Sequence, residues 1–417
     1  MKILHLSDLH IGKTIHGINL IDSGDQSDWL DKLLTVLNRE RPQAIVIAGD
    51  IYDRSAPSRE ALQLVSRMLT EFAALAWKPC VMMVAGNHDA GPMIDYLRSI
   101  VQRQNIHMAG MLEREMAHVT LEDECGSVTF WLMPYAYPAS INQVLGTAYR
   151  GYDEAFRAYL AAQDIDFGTR NVIVAHQNIT AFGSEAQRGG SETFVGGVGG
   201  IDFTVFDGFE YAALGHIHAA QSVGRDAVRY AGSPLCYHFS ELKYPDKGPV
   251  LVELGDKGTA PTVTVCPIAP LHPMREVRGT LTELLDAERM NTAEGEYVRA
   301  VVLQEADGIG GYREAAEQLR AVLAEKGSLL LDIAVERVGE RRETPEAVRD
   351  PGQKSVEELF REFWISRRDS GPDDAECALL DFIAEQERVS DPERDGPTEA
   401  ELDAILAFAA QQEEESK

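Results

Sequence analysis

The chain reads as an α/β protein: a mixed sheet or two-sheet sandwich with helices outside it, then a small α/β unit, then a helical C-terminal section. Three observations predict this. Through the first 270 residues, short β-branched apolar runs alternate with segments of helical period. Several of those runs are apolar throughout, as expected of strands covered on both faces. Finally, 44% hydrophobic and 25% charged residues over 417 positions is a globular profile, long enough for two or three cores.

Taken in order, residues 2–6, 44–48, 81–85, 128–132, 172–175 and 211–214 are strand candidates, and 29–39 and 59–75 carry apolar residues at helical spacing. From Ser222 to Ile268 the helical signal weakens and further strands are expected. A second unit, residues 271–340, contains a strand at 297–304, a helix at 312–325 with Ala316, Leu319 and Leu323 at turn spacing, and a strand at 329–338. Residues 339–345 form a charged, Pro-interrupted linker. Beyond it, 341–417 holds 10 basic and 22 acidic side chains. Three apolar stripes recur there at helical spacing: Val356, Leu359, Phe360, Phe363 and Trp364; Leu379, Phe382 and Ile383; Leu402, Ile405, Leu406 and Ala409. These helices are too short for a core of their own, so docking onto a partner is expected, against the plainer reading that they cover the chain's own core.

Composition narrows the function classes. Asp8 interrupts what would be the apolar part of a secretory signal. The longest uncharged stretch, 126–149, holds Pro134, Pro138, Ser140, Asn142 and Gln143 and does not read as a membrane span. Five scattered cysteines (Cys80, Cys125, Cys236, Cys266, Cys377) suggest neither a disulfide framework nor a thiolate metal site. A soluble protein of a reducing cytoplasm, with no membrane contact, is expected. The net charge of −28 argues against gripping nucleic acid through bulk positive charge. It is uneven, however: −10 over 1–270, −6 over 271–340 and −12 over 341–417. An acidic total therefore says less about the first 270 residues than about the last section.

Five segments place ligands just after strand-like runs: Asp8-Leu9-His10, Gly49-Asp50-Ile51-Tyr52-Asp53, Gly86-Asn87-His88-Asp89, His176, and Gly215-His216-Ile217-His218. Carboxyl ends of strands in α/β sheets share one crevice, where distant residues converge. On an extended chain, residues i and i+2 point to one side, which pairs Asp8 with His10 and His216 with His218. Gly49, Gly86 and Gly215 each precede a ligand, where a missing Cβ lets the backbone turn or approach. Asp, His and Asn without Cys favour divalent manganese, iron, zinc or magnesium. Seven ligands (Asp8, His10, Asp50, Asn87, His176, His216, His218) exceed one ion's needs and suit two ions sharing a carboxylate. Such a pair, roughly 3.5–4 Å apart, clamps the attacking and leaving oxygens of a phosphoester, so phosphoester hydrolysis is the expected reaction. His88 suits proton donation to the leaving oxygen. Singly, each piece has a plainer reading: a polar surface pair, a tight turn, a strand-end histidine. Their order, each closing an apolar strand, is what the plainer readings do not explain. His5, His16, His107, His118, His238 and His272 read as structural, with His5 on the face opposite the Asp8 pair.

These motifs resemble the five signature motifs of the calcineurin-like metallophosphoesterase superfamily. Within it, residues 1–12, 86–89, 213–218 and 229–234 are similar to the SbcD nuclease subunits of bacterial SbcCD complexes, and the likeness reaches the small unit and 355–360. The resemblance implies a metallophosphoesterase-type β-sandwich flanked by helices (1–270), a small α/β capping, DNA-binding domain (271–340), and a linker with an acidic helical partner-binding region (341–417). It implies two divalent ions, Mn2+ foremost. Asp8, His10, Asp50 and His218 would hold one; Asp50, Asn87, His176 and His216 the other, with Asp50 bridging and His88 the catalytic histidine. Asp53 stands where archaeal relatives carry a histidine. It is assigned beside His88 as a catalytic residue orienting that ring or an ion-bound water, against a plain reading as a helix-start carboxylate ahead of Pro57.

The implied activity is 3′→5′ exonuclease and endonuclease action on broken or hairpin DNA ends. It would be exerted with the coiled-coil ATPase SbcC, against whose coiled coil the 341–417 helices would pack, the nuclease component forming a homodimer within a heterotetramer. ATP hydrolysis would belong to that partner, since no Gly-x-x-x-x-Gly-Lys-Ser/Thr loop occurs. Lys13, Arg54, Arg59 and Arg188 are candidate phosphate contacts, and 189–200 a Gly-rich loop beside His176. The rivals are a phosphoesterase for small diesters or phosphoproteins, and a weakly catalytic scaffold; the complete ligand set speaks against the scaffold.

Overall fold

Alternation along the strands sorts their side chains into layers. In the computed structural model, Ile3, Val46, Val84, Phe130, Val174 and Ala213 fall into one buried cluster between two sheets. Their neighbours face outward. Leu4, Ile45 and Ile47 pack against Trp29 and Leu33 of helix Asp25–Glu40 and Met68 and Phe72 of helix Arg59–Ala74. Trp131, Ile173 and Ala212 pack against Phe156 and Tyr159 of helix Tyr152–Ala161. A period of two thus builds a four-layer sandwich, with helices outside both sheets. The structure describes residues 1–96, 98–181, 200–286, 294–304 and 312–337. The three apolar stripes beyond residue 355 lie outside them.

Each sheet has six strands. The first runs in the spatial order Thr262–Val265, Val250–Glu253, Lys2–Leu6, Ala44–Ala48, Cys80–Val84, Ile106–Ala109. The second runs Gln221–Val223, Arg225–Tyr230, Tyr211–Gly215, Arg170–His176, Gly126–Met133, Ala117–Asp123. Their central strands are parallel, and antiparallel pairs sit at one edge of the first sheet and at both edges of the second. Parallel pairing aligns the carboxyl ends of Lys2–Leu6, Ala44–Ala48 and Cys80–Val84 in one sheet and of Arg170–His176 and Tyr211–Gly215 in the other, and those ends carry the ligand loops.

The expected strands and helices are present, some with the expected bounds and the others with ends shifted by at most four residues. Helix Asp25–Glu40 begins four positions early because Gly24, at φ 87°, turns the chain into it and Asp25 and Asp28 favour its first turn. Strands Ile106–Ala109 and Ala117–Asp123 escaped the sequence reading. The second shows only half-buried positions alternating with exposed ones, an edge pattern with little apolar signal. In the uncharged stretch, Pro138 opens a helix, Pro138–Leu145, as proline does in a first turn.

The small unit is a three-stranded parallel sheet, Met274–Gly279, Tyr297–Gln304 and Leu329–Arg337, covered by Ala316, Leu319 and Leu323 of helix Tyr312–Ala324. Buried Asp25 fastens it to the sandwich. The Asp25 carboxylate accepts from Tyr297 Oη at 2.8 Å and contacts His272 Nδ1 at 3.0 Å, while the His272 and Tyr297 rings stack at 5.0 Å. Among the described residues, no helix is long and apolar enough to cross a membrane.

His5 is buried between the sheets, its Nδ1 3.0 Å from Tyr211 Oη. Burial pushes its imidazole down to about 3. Between that value and the unfolded value of about 6.5, the unfolded chain binds a proton that the folded chain refuses. This contribution to stability is therefore complete above about pH 6.5 and falls by up to about 1.4 kcal/mol per pH unit below it. In urea unfolding at pH 7 and pH 5, His5→Gln should lose roughly 2 kcal/mol less than the wild type on acidification. Equal losses would mean that His5 is not held neutral.

Candidate metal centre

Backbone pairing locks two of the five ligand loops together. The amides of Asp8 and His10 donate to the carbonyls of Gly49 (3.0 Å) and Asp50 (2.9 Å), and Ile11 to Ile51 (2.9 Å). Asp8, His10 and His218 then bring ligand atoms within 4.8 Å of one another, as do Asp8, Asp50 and His176, and His10, Asp50 and His88. Asn87 joins through its Oδ1, 3.0 Å from His176 Nε2 and 3.1 Å from His216 Nδ1. The seven ligand candidates and His88 thus gather in one place.

The strand ends bring the loops together as expected, but extended i, i+2 alternation is not what aims the side chains. Asp8 (φ 52°), His10 (φ 41°), Asp50 (φ 51°) and His216 (φ 105°) have left-handed backbone, so turns aim these side chains, not strand alternation. His216 and His218 also part company: His216 reaches Asn87, whereas His218 Nε2 faces His10 Nε2 at 3.1 Å. Two glycines are dictated by crowding. A Cβ on Gly86 would lie 2.1 Å from Asp50 Oδ1, and one on Gly215 would lie 1.8 Å from the Ala48 carbonyl oxygen.

Carbonyl contacts settle two tautomers. His176 Nδ1 lies 2.8 Å from the Ala48 oxygen, and His88 Nδ1 lies 3.0 Å from the Asp53 oxygen. A carbonyl only accepts, so both Nδ1 atoms carry protons and both Nε2 atoms are left for the site. The His88 amide also donates to Asp50 Oδ1 at 3.0 Å.

Asp53 meets His88 through its main chain. Its main-chain carbonyl, not its carboxylate, orients His88; the carboxylate accepts from Lys13 Nζ at 2.8 Å and lies 3.4 Å from His10 Nδ1. Nor is it a helix-start carboxylate, because the next helix begins at Arg59 with Ser58 as its cap.

The electrostatics call for a cation. Burial alone would raise the Asp50 carboxyl, yet the imidazoles of His176, His10 and His88 hold it well below the usual carboxylate range. Burial alone would lower His176, but the carboxylates of Asp50, at 3.4 Å, and Asp8 push it up to about 9. Burial keeps His10 low despite Asp53 and Asp50, and its Nδ1 is buried without a hydrogen bond. Without an ion, one histidine has to take up positive charge for the cluster. A buried set of carboxylate and amide oxygens and imidazole nitrogens, with no sulfur, fits hard to borderline divalent cations.

Several supporting residues were missed. Glu241 lies 3.4 Å from His218 Nδ1 and accepts from Lys247 Nζ at 2.7 Å. Burial works to raise the Glu241 carboxyl, but His218 and Lys247 hold it low. No spacing rule links it to a histidine 23 positions earlier; its one trace is a lone carboxylate after the apolar and aromatic run 235–239. Gln26 clasps the first loop, donating to the His10 carbonyl (2.8 Å) and accepting from the Gly12 amide (2.9 Å). Asp89 accepts from the amides of Gly86 (2.8 Å), Tyr52 (2.9 Å) and Ile51 (3.1 Å), tying the second loop to the third. Of the basic candidates, Lys13 is paired with Asp53, Arg54 and Arg59 are exposed, and Arg188 with the 189–199 stretch lies outside the described residues.

The family model described as calcineurin-like phosphoesterase matches residues 1–220, and one described as type 5 capsule protein repressor C-terminal domain (SbcD_C) matches residues 270–368. Two curated relatives are named as the SbcD component of the nuclease SbcCD. That of Staphylococcus saprophyticus subsp. saprophyticus is 30% identical over 292 residues, 68% of this chain and 73% of the relative. That of Staphylococcus epidermidis is 28% identical over 290 residues, 68% and 74% respectively. The solved structure of phosphopantetheinyl hydrolase from Mycobacterium tuberculosis superposes with a TM-score of 0.33 at 16% identity, over 58% of this chain and 92% of that one, too loosely to bear on function.

Proposed function

We propose, from the premise that this chain belongs to the calcineurin-like phosphoesterase family and within it to the SbcD nucleases, that it hydrolyses DNA phosphodiesters as the nuclease partner of the ATPase SbcC. The observation that carries the reading is the shared cluster itself, with Asp50 between His10 and His176 (3.5 and 3.4 Å) and the half-buried His88 beside it. Asp8, His10, Asp50 and His218 would hold one divalent ion, and Asp50, Asn87, His176 and His216 a second; Mn2+ suits this mixture of oxygen and imidazole donors. Bound there, such ions supply Lewis-acid activation of the phosphodiester and the attacking water. His88 moves the proton: anchored through Nδ1 on the Asp53 carbonyl, it presents Nε2 to the leaving oxygen. The Asp53 carboxylate holds Lys13 and lies 3.4 Å from His10 Nδ1. Glu241 orients His218.

Exonuclease action in the 3′→5′ direction, endonuclease action on broken or hairpin ends, and a cytoplasmic site of work rest on the likeness to SbcD. So does the division into a nuclease domain (1–270), a capping domain (271–340) and a partner-binding region (341–417). A homodimer has support of its own. An apolar hollow of about 520 Å³, lined by Val65, Leu69, Met93 and Ile94, adjoins Leu62 and Tyr96, exposed by 41% and 73%. Exposed apolar patches of this kind mark interfaces. Leu62→Asp combined with Tyr96→Asp should halve the mass seen by light scattering, whereas an unchanged mass would move the interface elsewhere.

The reading is tested with the purified full chain and Mn2+ on linear duplex DNA and on a small aromatic phosphodiester. Both should be cleaved, and chelation should stop both. Turnover of the small diester with no cleavage of DNA, even with SbcC and ATP added, would favour a phosphoesterase for small substrates.

A further inference from the structure

Next to the metal cluster, and apart from its ligand set except at Asn87, lies a cavity of about 530 Å³. Asn87 and Asp89 contribute to its wall, together with Met111, Leu112, Tyr135 and Tyr137. Tyr137 is 53% and Met111 50% exposed, which for side chains of this size is informative when they share one concave site.

The aromatic groups are ordered with respect to the cluster. Tyr135 lies over His216 with centroids 6.3 Å apart and planes inclined by 29°. Tyr137 stands edge-on to Tyr135 at 5.0 Å, and Tyr152 flanks Tyr137 at 6.5 Å. The Tyr135 amide donates to the Ala85 carbonyl at 2.8 Å, tying this segment to the turn that carries Asn87. Tyr137 directly precedes Pro138, which restrains its backbone, and it opens helix Pro138–Leu145. From the first two turns of that helix, Ser140 and Gln143, spaced i and i+3, add a hydroxyl and an amide to the same wall. Gly91 and Gly110 also line it, and a Cβ on Gly110 would lie 2.1 Å from the Gly91 carbonyl oxygen, so the two backbones pack closely there.

An aromatic face, a thioether, and hydrogen-bonding groups beside a phosphodiester-cleaving cluster make up the chemistry that takes a planar base joined to a phosphate. We infer that this cavity is a subsite for an unpaired nucleobase of the strand whose phosphodiester lies at the cluster, with Tyr137 as its stacking surface and Ser140 and Gln143 at the base edge. The inference rests on the DNA reading for the identity of the polymer, and it adds a preference for strands whose terminal base is free to leave its partner. Stacking of this kind tolerates all four bases, because each has a π-face.

The test uses 2-aminopurine, whose fluorescence falls on stacking, as an unpaired 3′-terminal base on an oligonucleotide. The full chain carries His88→Ala to suppress turnover. Binding should quench the probe; Tyr137→Ala should remove the quench and weaken binding about tenfold, while Tyr137→Phe keeps both. The same base paired in a blunt duplex should be quenched far less. Absence of quenching, or quenching that survives Tyr137→Ala, overturns the subsite. Equal affinity for free 2-aminopurine deoxynucleoside monophosphate would overturn the assignment to a strand in favour of a mononucleotide. Should the wild type cleave no DNA while the quench still depends on Tyr137, the nuclease reading fails and the subsite stands.

Discussion

His88→Ala should bind divalent metal as the wild type does and cleave linear DNA about 10²–10⁴-fold more slowly. The expectation follows from where the ring sits. Its Nδ1 is anchored on a main-chain carbonyl at 3.0 Å, so the ring is held by the fold rather than by a titrating partner, and Nε2 is the atom left for proton exchange. It touches the cluster without completing it: the His10 ring is edge-on at 4.8 Å, while the other seven donors meet without His88. Single-turnover rates on linear DNA, paired with calorimetric titration of Mn2+, separate the two roles. An unchanged rate would remove His88 from the chemistry, and lost metal binding would make it a ligand.

Asp50→Ala should fail at the earlier step, retaining little divalent metal after dialysis and cleaving DNA less than the His88 variant does. Asp50 lies 3.5 Å from His10 and 3.4 Å from His176 and accepts from the His88 amide, so its loss removes a donor from both halves of the cluster. The chain should nevertheless fold. Removing one member of a buried ion pair costs roughly 3–5 kcal/mol when the other charge is stranded. Here the partner is an imidazole that can give up its proton: with Asp50 gone the largest influence raising the His176 pKa is lost, burial works to lower it, and the contact of Nδ1 with the Ala48 carbonyl remains. Elemental analysis of the dialysed variant and its thermal unfolding check both halves. Two retained equivalents of metal would refute a bridging role.

The donor set was legible because it combines two independent signals. Apolar runs such as Ala44–Ala48 announce buried strands, and Asp, Asn and His in the next positions are chemically out of place unless they serve something. What aims those donors was not legible. Left-handed backbone at Asp8, His10, Asp50 and His216 is imposed by pairing between loops 40 or more residues apart, and no local preference of Asp or His announces it. The same holds for Glu241, brought to His218 by a fold-back after Ser233, and for the Asp53 carbonyl, which no side-chain pattern encodes. Tyr135 and Tyr137 were hidden in a stretch notable only for lacking charge.

The four left-handed ligands have a consequence for how such a chain ages in evolution. Each non-glycine residue held there costs on the order of 1 kcal/mol that glycine would not, and a cluster short of cations adds its own repulsions. Released from selection for cleavage, a duplicated copy would gain stability by exchanging those residues first. His176, closing an ordinary strand, carries no such penalty and would erode later. Paralogues of this fold that keep the strand-end histidine but carry glycine at positions 8, 10 or 50 would then be retired nucleases, dated by the order of their losses.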